Sequence, residues 1–184
     1  TLFNCTFFAS GTFTVWVENS ADTLHMYNCI VAGGDNIGLA FEQVDVSGYR
    51  GDYNLFQNDN PDRAITAGYE DEFSLTDVGA GVWTSHSSQD AHSRTVTDPS
   101  AVFLDAAGYD LHLSAGSPAV DGGTSSGAPA HDFDGTPRPA GNGYDIGAYE
   151  YTGSSGVPAS GGRSLPQRAV LYGNYPNPFN PATT

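Results

Sequence analysis

The histidines and carboxylates best placed for acid–base or metal chemistry lie in one polar stretch, residues 85–93. His86 and His92 stand there on either side of Asp90. Imidazole and carboxylate groups so close in sequence can exchange protons or bind a metal ion. Because Ser, Gln and Asp dominate the stretch, its composition is also typical of a solvated loop, and the loop is the favoured interpretation.

A second candidate site is a short acidic segment with the Asp-x-Asp-Gly spacing of some calcium-binding loops. Its ligands would be Asp132 and Asp134. The acidic residues that complete such a loop do not follow further along the sequence, so a simple turn is the favoured interpretation and calcium the alternative. No other cofactor is predicted.

The charge of the chain argues against several classes of partner. Twenty-one Asp and Glu residues face six Arg and no Lys, which gives a net charge of −15. Such a chain repels nucleic acid, anionic membranes and, unless cations bridge the charges, acidic polysaccharides. It cannot supply a catalytic Lys. No apolar run approaches the roughly 20 residues of a membrane-spanning helix, so no transmembrane segment is predicted.

The elements that would position these residues are predicted to be strands. Gly (23 residues) and Pro (11 residues) are frequent. No run of about ten residues keeps a helical period without Gly, Pro or β-branched residues. The sequence therefore predicts an all-β fold, and a hydrophobic content of 39% is sufficient for a packed core.

An internal repeat indicates how the strands are arranged. Residues 2–7 match residues 26–31 position by position, and residues 15–18 match residues 39–42 at the same offset of 24. A weaker third copy spans residues 53–56, 26 residues after the second. Short β-type segments at this period predict the coils of a parallel β-helix, in which equivalent residues stack about 4.8 Å apart.

One column of this repeat consists of Asn4, Asn28 and Asn54. Asn tolerates the left-handed backbone conformation of a sharp bend, and its amide can hydrogen-bond to the next Asn of the stack. We therefore assign these residues a structural role at a bend. Cys5 and Cys29 follow it at equivalent positions, where Cβ atoms about 4.8 Å apart favour two buried thiols over a disulfide.

The later part of the sequence resembles a known family. The residues that carry the resemblance read DP, VFLDAAGYDLHLSAGSPAVDGG, DFDGTPRP and YDIGAYEY, preceded by GDYNLF and SQDAHS. In this order they are similar to the closing segment of bacterial right-handed parallel β-helix proteins of the pectin-lyase-like superfamily. The resemblance implies that residues 1–151 form the last coils and the C-terminal cap of such a β-helix.

A cap must cover the apolar interior and the unpaired strand edge of the last coil. The aromatic residues expected to do so are Tyr109, Phe133, Tyr149 and Tyr151. In the same segment Asp121 and Asp145 are expected to accept hydrogen bonds from backbone N–H groups. These roles would be structural.

The end of the sequence predicts an export route. Residues 152–164 read as a flexible Gly/Ser linker. Residues 165–184 are similar to the opening of the C-terminal sorting domain of the type IX secretion system. The motif that carries this similarity consists of Asn174, Tyr175, Pro176, Asn177, Pro178, Phe179, Asn180 and Pro181. The resemblance implies a secreted or cell-surface protein with the type IX secretion machinery as a partner, and we expect the sequence to be a fragment of a longer one.

The resemblance implies a monomer that acts on or binds polysaccharide. Trp16, Trp83 and Tyr49 are candidates to stack on sugar rings if they are exposed. Whether the parent protein is a polysaccharide lyase or glycoside hydrolase stays open, and its catalytic residues would then lie upstream of this sequence. The alternative is a non-catalytic adhesin or a glycan-binding structural protein.

Overall fold

The computed structural model describes residues 1–8, 12–18, 23–34, 36–42, 45–68 and 70–153. The predicted sorting motif, and all but the first two residues of the predicted linker, lie outside these ranges. The chain is predominantly β, with 33% strand and 10% helix. Within the described ranges no helix is long and apolar enough to cross a membrane.

The strands are short and the helices are shorter than two turns. The described strands are β1 (Leu2–Phe3), β2 (Thr6–Phe8), β3 (Phe13–Val17), β4 (Leu24–Tyr27), β5 (Ile30–Ala32), β6 (Ile37–Phe41), β7 (Tyr49–Asp52), β8 (Leu55–Gln57), β9 (Ile65–Ala67), β10 (Asp71–Phe73), β11 (Arg94–Val96), β12 (Phe103–Asp105) and β13 (Asp110–Leu113). The helices are α1 (Leu75–Gly79) and α2 (Val82–Ser87), and Pro99–Ala101 forms a 3₁₀ turn.

Successive passages of the chain each add one strand to three parallel sheets. Sheet 1 has the strand order β1-β4-β7, sheet 2 the order β2-β5-β8-β11, and sheet 3 the order β3-β6-β9, to which β10 adds in the antiparallel direction. The predicted offset of 24 is confirmed for the first two repeats, because Leu2 pairs with Met26 and Thr6 with Ile30. Short parallel strands in this order are compatible with a β-helix-like fold.

The bend between sheets 1 and 2 lies at the predicted Asn positions of the first two repeats. Asn4 and Asn28 have left-handed backbones, with φ of 49° and 52°. The Asn28 side-chain amide donates to Asn4 Oδ1 at 3.2 Å, and both residues are buried. The predicted change of parity is also present, since Met26 before the bend and Cys29 after it both enter the same core.

The third repeat differs from the prediction by one residue. Ile30 pairs with Leu55, an offset of 25 rather than 26, which keeps apolar residues paired within sheet 2. Tyr53 therefore takes the left-handed bend position, with φ of 55°. Asn54 comes one position later, where its Oδ1 accepts from Cys29 N at 3.0 Å and its amide donates to Met26 O at 2.9 Å.

The main core lies between the three sheets and is closed beside the last strands by the two short helices. Leu75 and Val78 of α1 and Trp83 of α2 belong to the same apolar cluster as the inward residues of the sheets. A capping box explains where α1 begins, because Ser74 Oγ accepts from Asp77 N at 3.0 Å while the Asp77 carboxylate accepts from Ser74 N at 2.9 Å. These helices were not predicted from the sequence.

The segment expected to cap the open coil instead covers the outer face of sheet 2. Ile30 and Leu55, which alternate with inward residues, pack against Val102, Phe103 and Ile146 in a second apolar cluster. The other members of that cluster are Ala32, Leu113 and Ala119. Apolar side chains on both faces of sheet 2 must be covered, and residues 102–151, which we call the outer segment, cover the outer face.

The aromatic residues assigned to the cap have different surroundings. Phe133 and Tyr109 are the most exposed large apolar side chains of the described residues, at 80% and 76%. Tyr149 packs on His112 at a ring distance of 4.1 Å, and Tyr151 packs against the second cluster. None of these four residues belongs to the core between the sheets in the described part of the chain.

A buried ion pair fixes the end of this outer segment. Arg138 Nη1 donates to Glu150 Oε1 at 2.6 Å, and both side chains are almost fully buried. Glu150 also accepts from the backbone N–H groups of Ala140 and Asp145 at 2.8 and 3.0 Å. Asp145 in turn accepts from Asp121 N at 2.7 Å, so its predicted role as a backbone acceptor is confirmed.

Candidate functional site

A cleft of about 280 Å³ lies where the C-terminal ends of the three strands of sheet 1 meet the outer segment. We call it the aromatic cleft. It is lined by Phe3, Tyr27, Asp52, Tyr53, Thr124 and Ser126. Its size is near the lower end of the range for small-ligand sites, which begins at about 300 Å³. Its lining joins three aromatic rings, two of them phenols, with one carboxylate and two aliphatic hydroxyl groups. This combination can bind a ligand that has both apolar faces and many hydroxyl groups.

The register of sheet 1 positions the aromatic rings. Phe3 and Tyr27 are paired residues of β1 and β4, and their rings stack with centroids 5.6 Å apart and planes 20° apart. Tyr27 pairs in turn with Asp52 of β7. Tyr53 follows at the left-handed bend, and its ring stacks on the His92 imidazole at 4.7 Å with an interplanar angle of 10°.

The carboxylate of Asp52 contacts both residues of the Tyr53–His92 stack. Its Oδ2 lies 2.7 Å from His92 Nδ1, and its Oδ1 accepts from the backbone N–H groups of His92 and Tyr53 at 2.7 and 2.9 Å. These contacts fix the orientation of the imidazole and of the residue that carries the phenol ring. Three of the four acceptor positions of the carboxylate are occupied, which leaves one for a ligand hydroxyl.

Asn28 attaches the opposite wall of the cleft to the bend. Its amide donates to Thr124 O at 2.7 Å, and its Oδ1 accepts from Thr124 N at 2.8 Å. Further along the wall, Gly127 has φ of +76°, and a Cβ atom there would lie 2.3 Å from the Phe3 ring. Glycine is therefore required both by the backbone conformation and by the close approach to the aromatic ring.

The alternative considered for residues 85–93, in which His86 and His92 act together with Asp90, is not formed. His92 pairs with Asp52, and His86 packs against the rings of Phe73 and Trp83. Asp90 is buried, with an exposure of 3%, and the favoured interpretation as an ordinary solvated loop does not hold for it. Burial raises the pKa of Asp90, while hydrogen bonds donated to its carboxylate act in the opposite direction.

The carboxylates considered for calcium have protein partners. Asp132 Oδ1 accepts from the backbone N–H groups of Asp134 and Thr136 at 2.9 and 2.7 Å, and its Oδ2 accepts from Glu150 N at 2.9 Å. Asp134 Oδ2 lies 2.8 Å from His112 Nε2. Among the described residues, no group of three or more His, Cys, Asp or Glu side chains is arranged to hold a metal ion.

The aromatic residues considered for sugar stacking are divided between core and surface. Trp83 and Tyr49 are buried, at 0% and 1% exposure, and so are not available to a ligand. Trp16 is 42% exposed and lies against Phe13 at a ring distance of 4.4 Å, outside the cleft. The sequence reasoning missed Phe3, Tyr27 and Tyr53. A signal for the first two was present, since they are aromatic residues at equivalent positions of the repeat.

The two cysteines are free thiols, as predicted. Cys29 is buried and Cys5 is half-buried. Each Sγ lies 3.3 Å from the carbonyl oxygen two residues earlier, that of Phe3 or Tyr27. The hydrogen bond with Cys5, together with burial, raises the pKa of the Cys29 thiol well above its ordinary value, so this thiol is neutral and packs as a small apolar group.

A larger hollow of about 480 Å³ lies between α1 and β11. Its lining residues are Pro61, Leu75, Thr76, Gly79, Ala80, Thr95, Val96 and Thr97. They include no ionisable and no aromatic side chain. The aromatic cleft is therefore the stronger candidate site.

In comparisons with known proteins, no family model, no curated protein and no solved structure matches this chain.

Proposed function

We propose that this chain is part of a right-handed parallel β-helix protein that binds polysaccharide outside the cell, and that the aromatic cleft is its binding surface. The observation that carries the proposal is the lining of the cleft. The faces of aromatic rings attract the C–H groups of a sugar ring, and carboxylate and hydroxyl groups beside them can hydrogen-bond to its hydroxyls.

The β-helix part of the proposal is supported by the three parallel sheets, to which successive repeats of 24 or 25 residues each add a strand. The location outside the cell is supported by the resemblance of residues 165–184 to a secretion-system sorting domain. A sorting signal of that kind would bring the protein to the cell surface or the medium, where polysaccharides are abundant.

Binding is a better-supported activity for these residues than hydrolysis. A glycoside hydrolase of the usual kind needs two carboxyl groups on either side of the scissile bond. The lining of the cleft contains one, Asp52, and that group is already engaged with His92. A lyase or hydrolase activity of a longer parent protein would therefore depend on residues outside the aromatic cleft.

Affinity electrophoresis through gels containing soluble polysaccharides, followed by calorimetry on those that retard the protein, tests this function. We expect at least one polysaccharide to bind, and we expect Tyr27→Ala to weaken that binding about tenfold or more, a magnitude taken from the loss of one base–aromatic stacking contact. The matched control is Tyr109→Ala, which removes a 76%-exposed tyrosine elsewhere. Failure of every polysaccharide to bind, or equal losses in both variants, would contradict the proposal.

A further inference from the structure

The charges around the aromatic cleft restrict the kind of glycan that it can take. Asp52 is the one ionisable carboxylate of its lining, and no Arg of the described residues lines it. The chain as a whole carries a net charge of −15. A polymer of uronic acids would bring a carboxylate on every sugar into this field, at a cost that falls only with added salt or bridging cations.

Two basic side chains lie near Asp52, one close to it in sequence and one in direct contact with it. Arg50 lies two residues earlier on β7, but its Nη1 donates to the carbonyl oxygens of Ser47 and Tyr49 at 2.7 and 2.6 Å. His92 presents Nδ1 to Asp52 at 2.7 Å and is not among the residues that line the cleft. Neither side chain lines the aromatic cleft, so neither offers a positive charge to a uronate bound there.

The remaining polar groups suit hydroxyls. Asp52 keeps one acceptor position, and the Thr124 and Ser126 hydroxyls can both donate and accept. The stacked rings of Phe3 and Tyr27 offer an uncharged surface that interacts with sugar C–H groups whatever the ionic strength. Every group that lines the cleft can therefore interact with an uncharged sugar, and none favours an anionic one.

We infer that the aromatic cleft recognises uncharged glycans and discriminates against uronate polymers through the carboxylate of Asp52. This inference rests on the proposed function, since it names the class of polysaccharide that the same cleft binds. A site for acidic polysaccharides would instead need basic side chains or bridging cations at this position.

Pairs of polymers that share a backbone, one member with carboxylates and the other with hydroxyl groups in their place, provide the test. Hydroxyethylcellulose is compared with carboxymethylcellulose, and carboxyl-reduced polygalacturonate with native polygalacturonate, using the 184-residue protein in low salt with EDTA. Within a pair that binds, we expect the uncharged member to bind about tenfold or more tightly. We call this difference in affinity between the two members of a pair the gap. We expect it to narrow as NaCl is added, because salt screens the repulsion between the protein and the charged polymer.

Two charge variants locate the effect. Asp52→Asn removes one negative charge at the cleft and should narrow the gap, while Asp98→Asn removes one from an exposed position elsewhere and should leave it unchanged. Ser126→Ala, at an exposed wall position, should weaken both members of a pair alike and so leave the ratio of their affinities unchanged. If Asp52→Asn does not fold, this variant still shows whether the aromatic cleft binds the polymers, and the salt dependence of the ratio still shows whether charge decides between them.

The possible failures are distinguishable. Binding of native polygalacturonate or carboxymethylcellulose as tightly as its uncharged partner, with loss of that binding in Tyr27→Ala, would overturn this inference and leave the proposed function standing. A gap that responds equally to Asp52→Asn and Asp98→Asn would also overturn it, because the discrimination would then come from the net charge alone. Absence of binding to every polymer would overturn both.

Discussion

The buried carboxylate of Asp90 is the point where four segments of the fold are joined, and its replacement gives the sharpest test of how the core is closed. The carboxylate accepts hydrogen bonds from Ser93 Oγ at 2.6 Å, Tyr49 Oη at 2.8 Å, Trp83 Nε1 at 2.9 Å and Asn54 Nδ2 at 3.0 Å. The substitution Asp90→Asn keeps the shape of the side chain and replaces one oxygen by an NH₂ group.

The asparagine has no orientation without a conflict. Placed at the Oδ2 position, its NH₂ group faces the Tyr49 hydroxyl, which can reverse its hydrogen bond, and the Trp83 indole N–H, which can only donate. Placed at the Oδ1 position, it faces the Ser93 hydroxyl, which can also reverse, and the Asn54 amide N–H. In either case one buried donor loses its acceptor.

The expected cost follows from these two orientations. Losing a hydrogen bond to a charged group costs about 1.5–3 kcal/mol, and leaving a buried donor unsatisfied costs about 1–3 kcal/mol. Removing a charge that burial destabilises offsets part of this, because burial already raises the pKa of Asp90. We therefore expect Asp90→Asn to lower the free energy of unfolding by about 3 kcal/mol. Asp90→Ala should cost more, since all four donors lose their acceptor.

Urea denaturation followed by circular dichroism measures this difference by linear extrapolation. The matched control is Asp98→Asn, at an exposed position where Asp98 Oδ1 accepts from Ser100 N at 2.8 Å as the N-cap of the 3₁₀ turn. Asn caps equally well, so the control should stay within about 0.5 kcal/mol of the native protein. An Asp90→Asn variant as stable as this control would refute the assignment of Asp90 as the junction of the core.

Three further predictions concern the outer segment. Glu150→Ala should destabilise the protein by about 3–5 kcal/mol in urea denaturation, because it leaves the buried Arg138 guanidinium without its counter-ion; a cost below about 1 kcal/mol would contradict this. Burial lowers the pKa of His112, but its hydrogen bonds to two carboxylates raise it by more, to above 6.5. Its stabilisation should therefore be complete below pH 6.5 and be lost as the pH rises through the folded-state pKa, so the melting temperatures of native protein and His112→Gln should converge in alkaline buffer. Gly127→Ala should lower the melting temperature and reduce polysaccharide binding together, since its Cβ would meet the Phe3 ring, whereas Gly135→Ala, also at positive φ but in open space, should affect only stability.

The sequence was a good guide to the repeat because stacked parallel strands must share one period. Two separated segments with the same offset of 24 predicted the pairing in the first two repeats of all three sheets. The third repeat was misaligned by one residue because Asn54 resembles the earlier bend residues by type. Pairing of Leu55 with Ile30 decided the register instead, and an aromatic residue, Tyr53, occupies the left-handed position.

The two short helices were missed for a different reason. Helices of five and six residues show no helical period that can be distinguished from a loop. The usable signal was local, since Ser74 and Asp77 have the spacing of a capping box before Val78. Their stability comes from tertiary contacts such as those of Trp83, whose indole packs on Phe41 and Phe73, and such contacts are not visible in a sequence.

The aromatic cleft shows why the candidate site was harder to predict than the fold. One wall comes from the register of sheet 1, which the repeat predicts, but the other comes from residues nearly 100 positions later that have no repeat. Asn28 joins them. Its left-handed backbone makes the bend, and its side chain accepts from and donates to the backbone of Thr124, 96 residues away. An Asn that served only the bend would need no partner outside the stack of sheets. Through these two hydrogen bonds, the residue that forms the bend of the repeat also holds the second wall of the cleft beside Tyr27. The bend and the candidate site therefore depend on the same side chain.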